Sequence, residues 1–316
     1  MPDRYWPFRP VTVGCIGKEN NVWDGLDRLK GHHVLMKFFS SMMDASGTVT
    51  TDDSVLNEIK IVQELSVKFP ERIVKYIDFY LDSPDHPSNL NRSDQLTVPS
   101  AEGIFMSPNS TGKCHLVLIL EKVETSMADL LNSATPLELQ RQFNKSYTRL
   151  CKYFAWGGLE ALACMHCYSI THRTICPQNI ILTKKTDLNS VKLGDFSKAI
   201  RRNAGIRDNY TEVNNMINYS APEVLENDGY GLSSDIFSLG VVLYEMAYGE
   251  NPFPLPQGPA ELEPEVSSVL ENTYAYNTVD PKPPNNGNEE YGSKSAKFYL
   301  ISKFLKSVKT TKHARI

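Results

Sequence analysis

Apolar residues recur at two different spacings along this chain, and the change from one to the other limits the folds open to it. Residues 11–16, 34–39, 73–81 and 115–120 are short apolar or alternating runs rich in β-formers, the pattern of half-buried strands. A single helical stretch interrupts them: residues 54–69 place Val55, Ile59 and Val62 at helical spacing, with Asp53 or Ser54 as the expected N-cap. From residue 126 onward the pattern is mainly helical, over 126–131, 139–168 and 234–248, the last closed by Gly249 and Pro252. Two short runs inside this part, 179–182 and 191–193, flank a polar turn and read as a hairpin. Strands first and helices afterwards predict an α+β fold with a small β-rich lobe and a larger helical lobe.

Two polar segments, 83–113 and 254–293, are longer than the roughly 12–15 residues at which structureless loops become uncommon, and read as insertions. The 33 basic and 37 acidic residues give a net charge of -4, which offers no global basic field for nucleic acid. The N-terminus has no apolar stretch of signal-peptide length, and no segment approaches the roughly 18 apolar residues of a membrane span. A soluble, intracellular and most simply cytoplasmic protein is expected. The six cysteines are scattered, as expected of reduced thiols. Cys164-Met165-His166-Cys167 has no second ligand pair at zinc-site spacing and reads as part of an apolar helix.

The residues that carry chemistry form an ordered series. Lys37 closes the strand Val34-Leu35-Met36-Lys37, Glu58 sits on the following helix, and His172-Arg173-Thr174-Ile175-Cys176-Pro177-Gln178-Asn179 precedes an apolar strand. Asp195-Phe196-Ser197 follows the next strand, and Ala221-Pro222-Glu223 and Ser234-Asp235 come after it. In this order and at this spacing the chain, from about residue 11 to 316, resembles the protein kinase family, of the serine/threonine type. That resemblance implies a bilobal fold with an N-lobe over about 1–123 and a C-lobe over about 124–316. It also implies that Lys37 and Glu58 hold the phosphates of ATP, with Asn179 and Asp195 as Mg2+ ligands. Val22, at the end of the phosphate-loop pattern, and Leu120, at the gatekeeper position, would belong to the ATP site, and the backbone of Glu121-Lys122-Val123 would bind adenine. His172 and Phe196 would pack with Val62 and Tyr76 in an apolar column. Asp235 would brace the backbone of the His172 loop, and Glu223 would pair with Arg315. The run 300–305 resembles the family's penultimate helix, and its usual last helix has no counterpart here.

Departures from the family pattern fall on the catalytic step. Thr174 stands where the family has its catalytic aspartate, and Cys176 where it has a lysine near the γ-phosphate. A threonine hydroxyl is no base near neutral pH, and a lost positioned base typically costs about 10²–10⁴ in rate. Met216 replaces the threonine that would have contacted that aspartate. Ser197 replaces a glycine and restricts the backbone after Asp195. Of the glycine-rich phosphate loop only Gly17 keeps register, and Glu19 brings a carboxylate toward the phosphates. Arg173 retains the charge that in many kinases meets an activation-loop phosphate, which makes Tyr210 and Thr211 candidate phosphosites.

These residues lead to a pseudokinase that binds ATP and Mg2+ and acts as a scaffold or allosteric regulator of other proteins, such as an active kinase or a signalling complex. A weak or unconventional serine/threonine kinase is the alternative motivated by Lys37, Glu58, Asn179 and Asp195. A protein-interaction module that binds no nucleotide is the one motivated by the poor phosphate loop.

Overall fold

The computed structural model describes residues 4–11, 22–43, 48–82, 104–105, 112–201, 217–226 and 228–253. In chain order the elements are β1 (Tyr5–Pro10), β2 (Val22–Asp27), β3 (His32–Met43), β4 (Thr48–Thr50), α1 (Asp53–Lys68), β5 (Tyr76–Asp82), β6 (Ile104–Phe105), β7 (Gly112–Glu121), β8 (Thr125–Ser126) and α2 (Met127–Ser133). They continue with α3 (Pro136–Phe143), α4 (Tyr147–His166), β9 (Ile170–Thr171), β10 (Ile180–Leu182), β11 (Val191–Leu193), β12 (Ile200–Arg201), α5 (Pro222–Leu225) and α6 (Leu232–Tyr248).

These elements group into two compact units. One takes the chain up to Ser133 together with Gln178–Ala199; the other takes Ala134–Pro177 and the chain from Ile200 onward. The lobe boundary expected at 123/124 follows chain order, whereas these units follow packing. β10 pairs with both β11 and β8, and this three-stranded sheet carries 178–199 into the first unit.

In the first unit seven described strands form one sheet, with β1, β2, β3, β4 and β6 as consecutive neighbours and β7 lying between β3 and β5. Strand alternation gives β3 two different faces. Val34 and Met36 join Tyr5, Val117 and Ile119 in a buried apolar cluster, backed by Trp23 and Phe38. Leu35 and Lys37 therefore face the other way, the side on which α1 packs through Glu58. β1 was not anticipated: the expected strand at 11–16 falls almost wholly outside the described residues, and pairing with β2 begins at Tyr5. Its two prolines are tolerated because β1 lies at the edge of the sheet, where a missing N–H breaks no ladder bond. The segment read as a loop over 83–113 contributes β6, which pairs with β4, and the start of β7.

The N-cap of α1 lies one residue before the expected Asp53 or Ser54. Asp52 accepts from the Ser54 N–H at 2.8 Å, while Asp53 sits in the first turn and complements the helix dipole. The helix expected over 139–168 is two helices. Asn144 takes the left-handed conformation at φ 49° and ends α3, and α4 restarts after Ser146. α3 opens on Pro136 behind a reciprocal Thr135–Glu138 capping box. In the second unit α4 packs on α6 at Gly158, where a Cβ would come within 2.9 Å of Leu239 Cδ1, so the close approach needs glycine. No helix among the described residues is long and apolar enough to cross a membrane.

Candidate functional site

Lys37 lies in the middle of β3 on the face turned to α1. Its Nζ is 2.8 and 3.0 Å from the two Glu58 oxygens and 3.2 Å from Asp195 Oδ1. Lys37 and Glu58 are buried and Asp195 is partly buried, with side-chain relative exposures of 8%, 4% and 10%. Burial alone would favour a neutral lysine; the carboxylates of Asp195 and Glu58 outweigh it and hold the ammonium well above the ordinary lysine range. Burial pushes Glu58 up, Lys37 pulls it down and Asp195 raises it further, for a net upward displacement. The arrangement is a desolvated ammonium held between two carboxylates.

Asp195 is presented by β11 and by the loop after α1. The Leu193 N–H donates to the Arg72 carbonyl at 2.8 Å and the Val74 N–H to the Leu193 carbonyl at 3.0 Å. Asp195 itself has φ +56°, a left-handed backbone that aspartate tolerates better than most residues and that concentrates at functional sites. Pairing of Ile180 with Leu193 sets Asn179 beside Gly194, whose N–H donates to the Asn179 carbonyl at 3.0 Å. Asn179 and Asp195 thus occupy the same end of this hairpin. An amide oxygen and a carboxylate fit Mg2+, which keeps waters and takes substrate phosphates as further ligands. Among the described residues there is no cluster of three or more His, Cys, Asp or Glu that would cage a metal by itself.

Two supports were not visible in the sequence. Asn57, the neighbour of Glu58 on α1, donates its Nδ2 to the Ala199 carbonyl at 2.7 Å and ties the helix to the segment after Asp195. Glu121 accepts from the Lys75 N–H and from Lys192 Nζ, each at 2.6 Å, anchoring the end of β7. Nothing in the periodicity marks these residues, because their partners lie far away in sequence. Leu120 and Val123 are buried, as is Val22, which pairs with Lys37 across β2 and β3. Among the described residues the Lys122 and Val123 main chains share in no backbone hydrogen bond. Phe196 and Val62 are buried in this same unit.

The second unit holds Thr174. Asp235, at the start of α6 and fully buried, accepts from the N–H groups of His172 and Arg173, each at 2.9 Å, and from the Tyr230 hydroxyl at 3.0 Å. His166 Nε2 lies 3.0 Å from the same carboxylate. Burial would raise the Asp235 pKa, but His166, His172 and these donors reverse that and bring it below the ordinary value. The acceptor set also supports Arg173 in a left-handed conformation at φ 69°. Thr174 Oγ1 lies 3.0 Å from His172 Nδ1, and Cys176 is buried. Glu223 accepts from Ser234 Oγ at 2.9 Å. Arg315, expected as its partner, lies outside the described residues, as do Gly17, Tyr210, Thr211 and Met216, the 300–305 run and the 254–293 insertion.

A family model for the protein kinase domain matches residues 12–312. Serine/threonine-protein kinase dkf-2 of Caenorhabditis briggsae is 26% identical over 249 residues, covering 79% of this chain and 17% of that protein. The MAP kinase kinase skh1/pek1 of Schizosaccharomyces pombe is 30% identical over 183 residues, or 58% of this chain and 47% of the relative. Rho-associated protein kinase let-502 of Caenorhabditis briggsae is 32% identical over 144 residues, or 44% and 11%. The chain spans less than half the length of each of these relatives.

Proposed function

We propose, from the premise that this chain belongs to the protein kinase domain family, that it is a pseudokinase: it holds a magnesium-bound nucleotide but lacks the group that would activate a substrate hydroxyl. The observation that carries this reading is Thr174, whose hydroxyl is 3.0 Å from His172 Nδ1 and stands at the catalytic aspartate's position. Phosphoryl transfer is mostly positioning and electrostatic stabilisation, so a site can keep its ligands and still lose its chemistry. Here Lys37, oriented by Glu58, would neutralise phosphate charge, and Asn179 and Asp195 would hold Mg2+. When bound, the ion supplies charge neutralisation between the phosphates. Absence of a positioned base removes about 10²–10⁴ in rate, or roughly 3–5 kcal/mol of barrier. The buried Cys176 brings no positive charge to the γ-phosphate and deepens that deficit. Such a domain would act by binding other proteins, as a scaffold or allosteric partner in signalling.

A weak phosphotransferase is the second reading, favoured by the retained contacts of Lys37 with Glu58 and Asp195. A transfer assay with labelled Mg-ATP and generic protein substrates separates the two, run on the wild type, Thr174→Asp and Asp195→Asn. A silent wild type with activity gained by Thr174→Asp is the expected result. Transfer by the wild type that Asp195→Asn abolishes would establish a working kinase instead.

A further inference from the structure

We infer that Leu35 closes the base end of the nucleotide site, so that the site recognises the magnesium-bound phosphate chain and gains no affinity from the purine. This deepens the reading above and rests on its assignment of Lys37, Asn179 and Asp195 to a bound polyphosphate. Two cross-strand rows carry the argument. Val22, Lys37 and Leu118 form one row across β2, β3 and β7, and Asp24, Leu35 and Leu120 form the next. Residues directly opposite one another share a face, so both rows lie on the side of the sheet that presents Lys37.

A nucleotide with its phosphates at Lys37 and its base on the main chain of Lys122–Val123 has to run along this face from the first row to beyond the second. Position 35 is in its way. Leu35 is only 1% exposed, and Val22, Leu120 and Val123 around the same path are 0%, 4% and 3% exposed, covered by the protein's own atoms. The strand pattern that Val34-Leu35-Met36-Lys37 resembles has alanine at the second position, where this chain carries an isobutyl group. Interiors are close-packed, and a flat ring cannot be inserted over such a side chain without displacing its neighbours. Displacement is further opposed at the end of the row. Buried Asp24 is held by Lys122 Nζ and by Arg9, which pins β2 to the segment that a base would have to reach.

Calorimetric titration with Mg-ATP and with magnesium tripolyphosphate, which has the phosphates but no base, tests this directly. The wild type should bind the two with affinities within about threefold of each other. Leu35→Ala should raise the affinity for ATP by about tenfold or more, the effect of opening a small apolar volume, and leave tripolyphosphate unchanged. A wild type that prefers ATP over tripolyphosphate by about tenfold or more would overturn the inference, and this comparison decides even where Leu35→Ala does not fold. Equal changes for both ligands in Leu35→Ala would overturn it as well. Asp195→Asn, titrated in parallel, separates this failure from that of the underlying reading. If tripolyphosphate binding survives Asp195→Asn intact, the phosphate site itself is misassigned; a wild type that binds neither ligand overturns both.

Discussion

The cluster around Lys37 and the loop around Thr174 have been treated differently by their own sequence. At the first, the Lys37 ammonium lies 2.8 Å from one carboxylate and 3.2 Å from another, an arrangement whose desolvation is costly. At the second, a neutral hydroxyl rests against a histidine. Yet the scaffold beneath that loop is intact, with Asp235 still accepting from the His172 and Arg173 amides. The contrast is between a cluster that keeps its charges in contact and a braced backbone that carries a neutral hydroxyl.

The sharpest way to break this comparison is to remove the charge pair. Glu58→Ala should destabilise the protein by about 1–3 kcal/mol, because it removes one of the two carboxylates that hold the buried Lys37 ammonium while Asp195 still pairs with it. The double variant Lys37→Met/Glu58→Leu should lose far less than the sum of the two single changes, as measured by urea unfolding in a double-mutant cycle. Additive losses would show that the pair is not coupled and that the cluster is ordinary packing.

Asp235→Asn is the matching change in the other unit and should cost about 1–3 kcal/mol, since the amide can accept only part of what the carboxylate does. Its pH dependence has a definite sign. A carboxylate held below its ordinary pKa stabilises the fold fully above that ordinary value, near ~3.9, and loses this contribution as pH falls toward the depressed folded value. The wild type should therefore show a steeper fall in stability below about pH 4 than Asp235→Asn. Parallel acid limbs would remove Asp235 from the bracing role.

A smaller effect sharpens the comparison. Asn57→Ala deletes the bond to the Ala199 carbonyl and should cost about 1 kcal/mol of stability. Its diagnostic consequence is faster amide exchange in the segment following Asp195, with little change in α4 or α6. Uniform loss of protection would mean that Asn57 acts on the whole fold.

Much of the site was legible without coordinates, because the information was local or ordinal. Alternation along β3 placed Lys37 in a strand, helical spacing placed Glu58 on α1, and the order of Lys37, Glu58, Asn179 and Asp195 pointed to one chemistry. That a threonine follows His172-Arg173 could be read from the chain alone. Boundaries were less legible. The division of one expected helix into α3 and α4 turns on a single asparagine at φ 49°, and Asn144 carries no periodic signal. β1 escaped notice because its prolines argue against a strand unless its position at the sheet edge is known.

What the sequence by itself determined is which chemical groups the chain owns and in what order: the Lys37 ammonium, the Glu58 and Asp195 carboxylates, the Asn179 amide and the Thr174 hydroxyl. Only the tertiary structure decided who meets whom. Lys37 and Asp195 are 158 positions apart, and Asn57 and Ala199 are 142 apart, so no local period couples them. The left-handed backbones of Arg173 and Asp195 belong to the same class, since conformations that cost energy locally persist only where distant partners hold them. The physical reason is that periodicity reports the environment of one face of one element, whereas a site is made where several faces converge.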